Sequence, residues 1–167
     1  MHALGKPVIA MVNGPALAGG LGLMLACDYV LASEEASYAT TEIKIGLWPM
    51  MISAELVRNI GRKKALDLML SGRRVLAPEA LAIGLISEMV PATALEASVM
   101  RLARELATRS PSALALGLRC FYETQDLAIA DALALLEQRF GELLATPDAK
   151  EGLAAFMEKR APQFGGD

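Results

Sequence analysis

Lys6-Pro7-Val8-Ile9-Ala10-Met11-Val12-Asn13-Gly14-Pro15-Ala16-Leu17-Ala18-Gly19-Gly20-Leu21-Gly22 is the stretch on which the reading of the fold turns. The apolar run from Pro7 to Val12 is closed by the turn cluster Asn13-Gly14-Pro15 and predicts a buried strand. The glycine-rich segment after it opens an almost wholly apolar stretch, Leu21 to Cys27, which predicts a buried helix. Asp28 then precedes a second apolar run, Tyr29-Val30-Leu31-Ala32. Strand, glycine loop, helix and strand in that order are the alternation of an α/β layer with crossover connections.

Working outward, Ser37 to Thr40 predicts a further short strand and Thr41 to Pro49 a structured loop. Helical periodicity occupies about 50 to 59 and 62 to 71. Ala77 to Gly84 places proline in a first helical turn and glycine at the end, and Leu85 to Val90 reads as a strand closed by Pro91. Beyond Pro91 the pattern is helical throughout, over about 93 to 109, 112 to 124, 127 to 145 and 149 to 158, with breaks at Ser110-Pro111 and Thr146-Pro147-Asp148. The expected organisation is an α/β core over residues 1–91 and a helical region over 92–167, joined in one continuous body.

Composition narrows the functional classes. Sixteen basic and nineteen acidic residues leave a net charge of -3, and no basic stripe interleaved with aromatics is present, which argues against nucleic acid. Apolar residues make up 54% of the chain and the mean hydropathy is +0.38, so part of the apolar surface is expected to meet a partner. No apolar run reaches the roughly 18 to 20 residues of a membrane-spanning helix, and the first residues lack the pattern of a secretory signal, so a cytoplasmic location is expected. Cys27 and Cys120 are isolated from each other and from histidine, which gives neither a disulfide framework nor a metal site. The only histidine is His2, at the terminus, which argues against a Ser-His-Asp hydrolase, while a Ser-Lys variant stays open by count though no serine sits in the glycine loop.

Two features can carry chemistry. Glycines opening a helix let a substrate approach backbone N–H donors closely, as stabilisation of a developing oxyanion requires. Glycine clusters at strand-to-helix turns more often serve close packing. No Gly-Lys-Ser/Thr follows, and the spacing is not that of a dinucleotide loop. Glu42, beside the apolar Leu47-Trp48-Pro49, is placed where a carboxylate can be desolvated and used for proton transfer; an exposed loop glutamate is the plain alternative.

Taken together, several blocks in order give a resemblance. Lys6-Pro7-Val8-Ile9-Ala10-Met11-Val12-Asn13-Gly14 through Gly19-Gly20, Ala26-Cys27-Asp28, Thr41-Glu42-Ile43-Lys44-Ile45-Gly46-Leu47, Gly61-Arg62-Lys63-Lys64-Ala65-Leu66, Leu70-Ser71-Gly72-Arg73, Ala77-Pro78-Glu79-Ala80-Leu81-Ala82-Ile83-Gly84 and Phe156-Met157-Glu158-Lys159-Arg160 resemble the crotonase superfamily, the enoyl-CoA hydratase and isomerase group. The resemblance covers nearly the whole chain. It implies an α/β crotonase-like spiral of ββα-type turns, incomplete at the N-terminus, followed by an α-helical C-terminal trimerisation region. It also implies acyl-CoA thioester substrates, no cofactor beyond the coenzyme A of the substrate, no metal, and a homo-oligomer, trimer or hexamer.

Residue by residue, the resemblance gives Glu42 the acid/base role and the Gly19 N–H one oxyanion donor. Leu17, Gly20, Trp48 and Met51 are expected near the thioester or acyl chain, and Phe156 and Lys159 near the coenzyme A. The second donor of such sites belongs to a segment before Lys6, so the chain is expected to be N-terminally truncated. Gly22 stands where hydratases usually carry a second glutamate. The readings are therefore a hydratase acting through an oxyanion-stabilised enolate, a double-bond isomerase using the single Glu42, or a truncated family member that serves only in assembly.

Overall fold

The computed structural model describes residues 1–165, so the last two residues of the expected 92–167 region lie outside them. Strand β1 (Ile9–Val12) ends at the Asn13-Gly14 turn, and the chain enters β2 (Pro15–Leu17) at once, in a second sheet. Helix α1 (Gly19–Leu25) then returns the chain to β3 (Tyr29–Ser33), and β4 (Ser37–Ala39) repeats the passage. The two strand-strand-helix turns stack in register. Ile9 to Val12 of β1 run parallel to Tyr29 to Ala32 of β3, and Pro15 to Leu17 of β2 run parallel to Ser37 to Ala39 of β4.

After β4 come a 3-10 turn (Thr41–Ile45), α2 (Met50–Ile60) and α3 (Arg62–Ser71). The two-residue β5 (Val75–Leu76) closes the second sheet antiparallel to β4, and α4 (Ala77–Ala82) leads to β6 (Glu88–Val90), which joins the first sheet beside β3. Parallel strands need crossovers, and the helices supply them while covering the sheets. The start of the first sheet is sealed by Asp28, whose Oδ2 accepts from the Val8 N–H at 2.6 Å while its own N–H donates to the Val8 carbonyl at 2.9 Å.

The core beneath is built of Leu21, Met24, Leu25, Val30, Tyr38, Ile52, Leu56, Leu68, Met69 and Val75, among others. Tyr38 is wholly buried, its hydroxyl lacks a hydrogen-bond partner among the described residues, and burial pushes the phenol up to about 12. A buried polar atom left unpaired costs about 1–3 kcal/mol. Tyr38→Phe is therefore expected to raise stability by about 1 kcal/mol, measured as a higher urea midpoint at unchanged slope.

A 3-10 turn (Ala92–Ala94) follows Pro91, then α5 (Leu95–Leu106), α6 (Pro111–Thr124), α7 (Ile129–Ala145) and α8 (Pro147–Glu158). The chain forms two compact units, Val8–Leu102 and Met1–Pro7 with Ala103 onward. The boundary expected after residue 91 thus falls inside α5. Its first turns stay with the α/β unit, where Leu95 is buried and Arg101 reaches Glu88 of β6 at 4.0 Å.

Within the helical unit, Ser110 caps α6 through the Ala113 N–H and Thr146 caps α8 through the Ala149 N–H, each ahead of a proline in the first turn. Asp148 joins these ends. It accepts from the hydroxyls of Ser110 at 2.7 Å and Ser112 at 2.9 Å and from the Gly165 N–H at 3.2 Å. These donors, the Ser110 hydroxyl first, hold its carboxyl down from 3.8 to about 2. A depressed carboxylate lends stability that is complete above its ordinary value and lost as pH falls through the folded one. Asp148→Asn is expected to destabilise the protein at neutral pH, with the difference from wild type shrinking as pH falls from 3.8 to about 2, as urea titrations across that range would record.

Candidate active site

Two parallel strands carry the candidate groups to the same end of the second sheet. Leu17, the last residue of β2, lies opposite Ala39, the last of β4. The ladder runs one bond further, from the Ala18 N–H to the Ala39 carbonyl at 2.9 Å. Gly19 and Glu42 follow directly after these two strand ends.

At the first end, Ala18 turns the chain from strand into helix with φ 49° and ψ -127°. This is a positive φ for a residue with a Cβ, and such a conformation costs of order 1–3 kcal/mol. Three hydrogen bonds hold it: the bond to Ala39, and those its carbonyl accepts from Leu21 at 2.9 Å and Gly22 at 3.3 Å. The amides of Gly19 and Gly20, in the first turn, have no intrahelical acceptor by the geometry of a helix start. Among the described residues, a Cβ on either glycine would meet nothing within 4 Å. Close packing against the rest of the chain therefore does not require glycine at 19 or 20, whereas approach of a ligand to the amides would.

At the second end, the 3-10 turn is closed by Gly46, in the left-handed conformation at φ 78°. The Leu47 N–H donates to the Glu42 carbonyl at 3.0 Å. Thr40, fully buried, anchors the turn's entry by donating its hydroxyl to the Leu68 carbonyl of α3 at 2.8 Å. Glu42 is half-buried rather than an exposed loop residue. Its Oε2 is shielded from solvent and, among the described residues, has no hydrogen-bond partner, an arrangement that leaves a carboxylate oxygen ready to take a proton from a bound molecule.

Gly22 has a different environment from the two glycines before it. A Cβ there would lie 3.0 Å from Cγ1 of Ile52 on α2. The first turns of α1 and α2 meet at this point, and Ile52 is buried in the core. The space beside residue 22 is therefore apolar and filled.

The remaining expected residues divide. Leu17 is half-buried beside Ala18, and Gly20 is exposed in the first turn of α1. Trp48 packs against the core cluster, while Met51 is 89% exposed and Ile45, Leu47 and Met50 beside it are exposed too. An apolar surface thus borders the Glu42 turn. Phe156 and Lys159 lie in the helical unit, both exposed, with Lys159 at the α8 end in a left-handed conformation, φ 55°. Sequence reasoning passed over Ala18, Thr40 and Ile52. Alanine carries no signal for a positive φ, and the partners of Thr40 and Ile52 are remote in the chain. Among the described residues no three His, Cys, Asp or Glu side chains cluster as metal ligands, and no helix is long and apolar enough to cross a membrane.

Comparison with known proteins agrees with this architecture. The family model described as enoyl-CoA hydratase/isomerase matches residues 1–167. The chain is 37% identical over 167 residues to the 2,3-dehydroadipyl-CoA hydratase of Escherichia coli, covering 99% of this chain and 66% of that protein. It is 40% identical over 156 residues to the mouse mitochondrial enoyl-CoA hydratase domain-containing protein 3, covering 93% of this chain and 52% of the relative. The crystal structure of an enoyl-CoA hydratase from Mycobacterium smegmatis superposes with a TM-score of 0.95 at 32% identity, over 98% of this chain and 63% of that one. The chain thus spans between half and two-thirds of the length of these relatives, and its fold is the crotonase fold.

Proposed function

The chain belongs to the enoyl-CoA hydratase/isomerase family, and from that premise we propose that it acts on enoyl-CoA thioesters through an enolate, with Glu42 as the proton carrier and the Gly19 N–H as an oxyanion donor. The observation that carries this reading is the Glu42 Oε2 atom, shielded and without a partner, at the sheet end it shares with the open first turn of α1.

In hydration, Glu42 takes a proton from water as the water oxygen bonds to C3 of the 2-enoyl thioester. The double-bond electrons move toward the thioester carbonyl, whose oxygen accepts from Gly19. Collapse of the enolate returns the proton from Glu42 to C2. A backbone donor aimed at such an oxygen is worth about 10²–10³ in rate. That several relatives are named hydratases supports hydration as the first reading. The apolar surface of Leu47, Met50 and Met51 suits an acyl chain, and neither metal nor cofactor is needed for these steps.

A second reading is favoured by one observation. Ile52 fills the space beside Gly22, so Glu42 is left as the carboxylate of the pair that hydratases use. Moving a double bond from C3 to C2 needs one base, which removes a proton from C2 and delivers it to C4. Self-association through the helical unit, as a trimer or hexamer, belongs to the same proposal. It is supported by the exposed stripe Ile129, Leu133, Leu136, Phe140 and Leu144 on α7.

Turnover of 2-enoyl-CoA with water and of 3-enoyl-CoA without it, each by wild type and Glu42→Gln, separates the two reactions. Turnover of neither, with self-association intact, would overturn both and leave an assembly module.

A further inference from the structure

Gly72 ends α3 in a left-handed conformation, φ +57°. A Cβ there would lie 2.7 Å from Cγ2 of Ile43, 3.2 Å from Cε of Lys44 and 3.3 Å from the backbone carbonyl of Thr40. All three belong to the turn that carries Glu42 or to its entry. The first distance is shorter than real Cβ contacts allow. Cγ2 sits on a β-branched carbon and cannot swing aside without a change of rotamer. The turn therefore rests directly on the backbone of Gly72. One helical turn earlier, the Leu68 carbonyl accepts the Thr40 hydroxyl at 2.8 Å.

The support itself is held in place. Arg73, the next residue, donates to Asp67 on α3 at 2.8 Å and to Glu79 on α4 at 2.6 Å and 3.0 Å. These bonds link the end of α3 to the start of α4.

We propose that Gly72, with Thr40, is a positioning residue for the reaction: the absence of a side chain at 72 sets where the Glu42 carboxylate stands, and Thr40 keeps it there. The proposal rests on the reading of Glu42 as the proton carrier. A side chain at 72 would press the turn away from α3 and misplace the carboxylate, and a misplacement of about 1 Å can cost about 10²-fold in rate.

The test compares wild type with Gly72→Ala, Ile43→Ala, the double variant and Thr40→Val, using the enoyl-CoA that wild type turns over. Gly72→Ala is expected to lower kcat by about ten- to a hundred-fold with KM little changed. The double variant is expected to recover most of the loss, because the contact with Cγ2 is gone although the left-handed backbone remains. Thr40→Val, which keeps the shape and removes the hydroxyl, is expected to lower kcat to a smaller extent and provides the measurement if Gly72→Ala does not fold. Amide chemical shifts of Thr41 to Leu47 give a readout independent of turnover. They are expected to move in Gly72→Ala and to return in the double variant. Unchanged kcat in both Gly72→Ala and Thr40→Val, or no recovery in the double variant, would overturn the proposal. Full turnover by Glu42→Gln would instead overturn the underlying reading of the site, and the amide shifts would then decide the seat alone.

Discussion

Replacing Glu42 with glutamine should lower kcat by about two to four orders of magnitude, the usual worth of a positioned acid/base, without lowering stability. The two halves of that expectation have one cause. Glutamine keeps the shape of the side chain but cannot take and return a proton. Because Oε2 has no hydrogen-bond partner among the described residues, the fold loses no bond at that atom when the carboxylate goes. A shielded carboxylate without a partner is itself a cost, so urea unfolding of the variant should match wild type within about 0.5 kcal/mol or exceed it. Calorimetric titration with the enoyl-CoA should show binding retained. A fall in stability that tracked the loss of activity would mark Glu42 as structural, and undiminished turnover would remove it from the chemistry.

Gly22→Glu should destabilise the protein by about 1–3 kcal/mol, as overpacking of a filled site does, although glycine in a helix is ordinarily poorer than glutamate by several tenths of a kcal/mol or more. The contact at 3.0 Å with Cγ1 of Ile52 decides the sign. The added Cβ requires Ile52, packed in the core, to give by a few tenths of an ångström. In an Ile52→Ala background the same substitution should cost far less, with an interaction energy of about 1–2 kcal/mol between the two positions in a double-mutant cycle. Equal costs in both backgrounds would mean that residue 22 has another way out.

Both predictions depend on contacts that local pattern does not encode. The apolar run closed by Asn13-Gly14 marked β1, and the all-apolar stretch after the glycines marked α1, because strand and helix leave their own periods in the chain. The proline and glycine punctuation of α4, α6 and α8 was legible for the same local reason. The shortest strands were less so. Three residues, Pro15 to Leu17, form a strand in a second sheet, and Val75 and Leu76 form another, each too short to show any period. The expected boundary after residue 91 was drawn from Pro91, yet burial of Leu95 keeps the start of α5 with the α/β unit.

At the site, sequence blocks singled out Glu42, Gly19 and Gly22 by resemblance but left open whether the glutamate is exposed and why the glycines are glycine. Tertiary structure decided these points. Gly19 and Gly20 leave open space, Gly22 accommodates Ile52, and Gly72 accommodates the turn of Glu42. Ala18 bears a backbone strain that three hydrogen bonds sustain. By itself the sequence determined that β1 leads through a glycine turn into a buried helix, and hence the family. Which groups that turn leaves open, and how the turn of Glu42 is seated, was decided by Ala39, Ile52, Leu68 and Gly72. Close packing makes the environment of one atom depend on residues far along the chain, and periodicity carries no record of them.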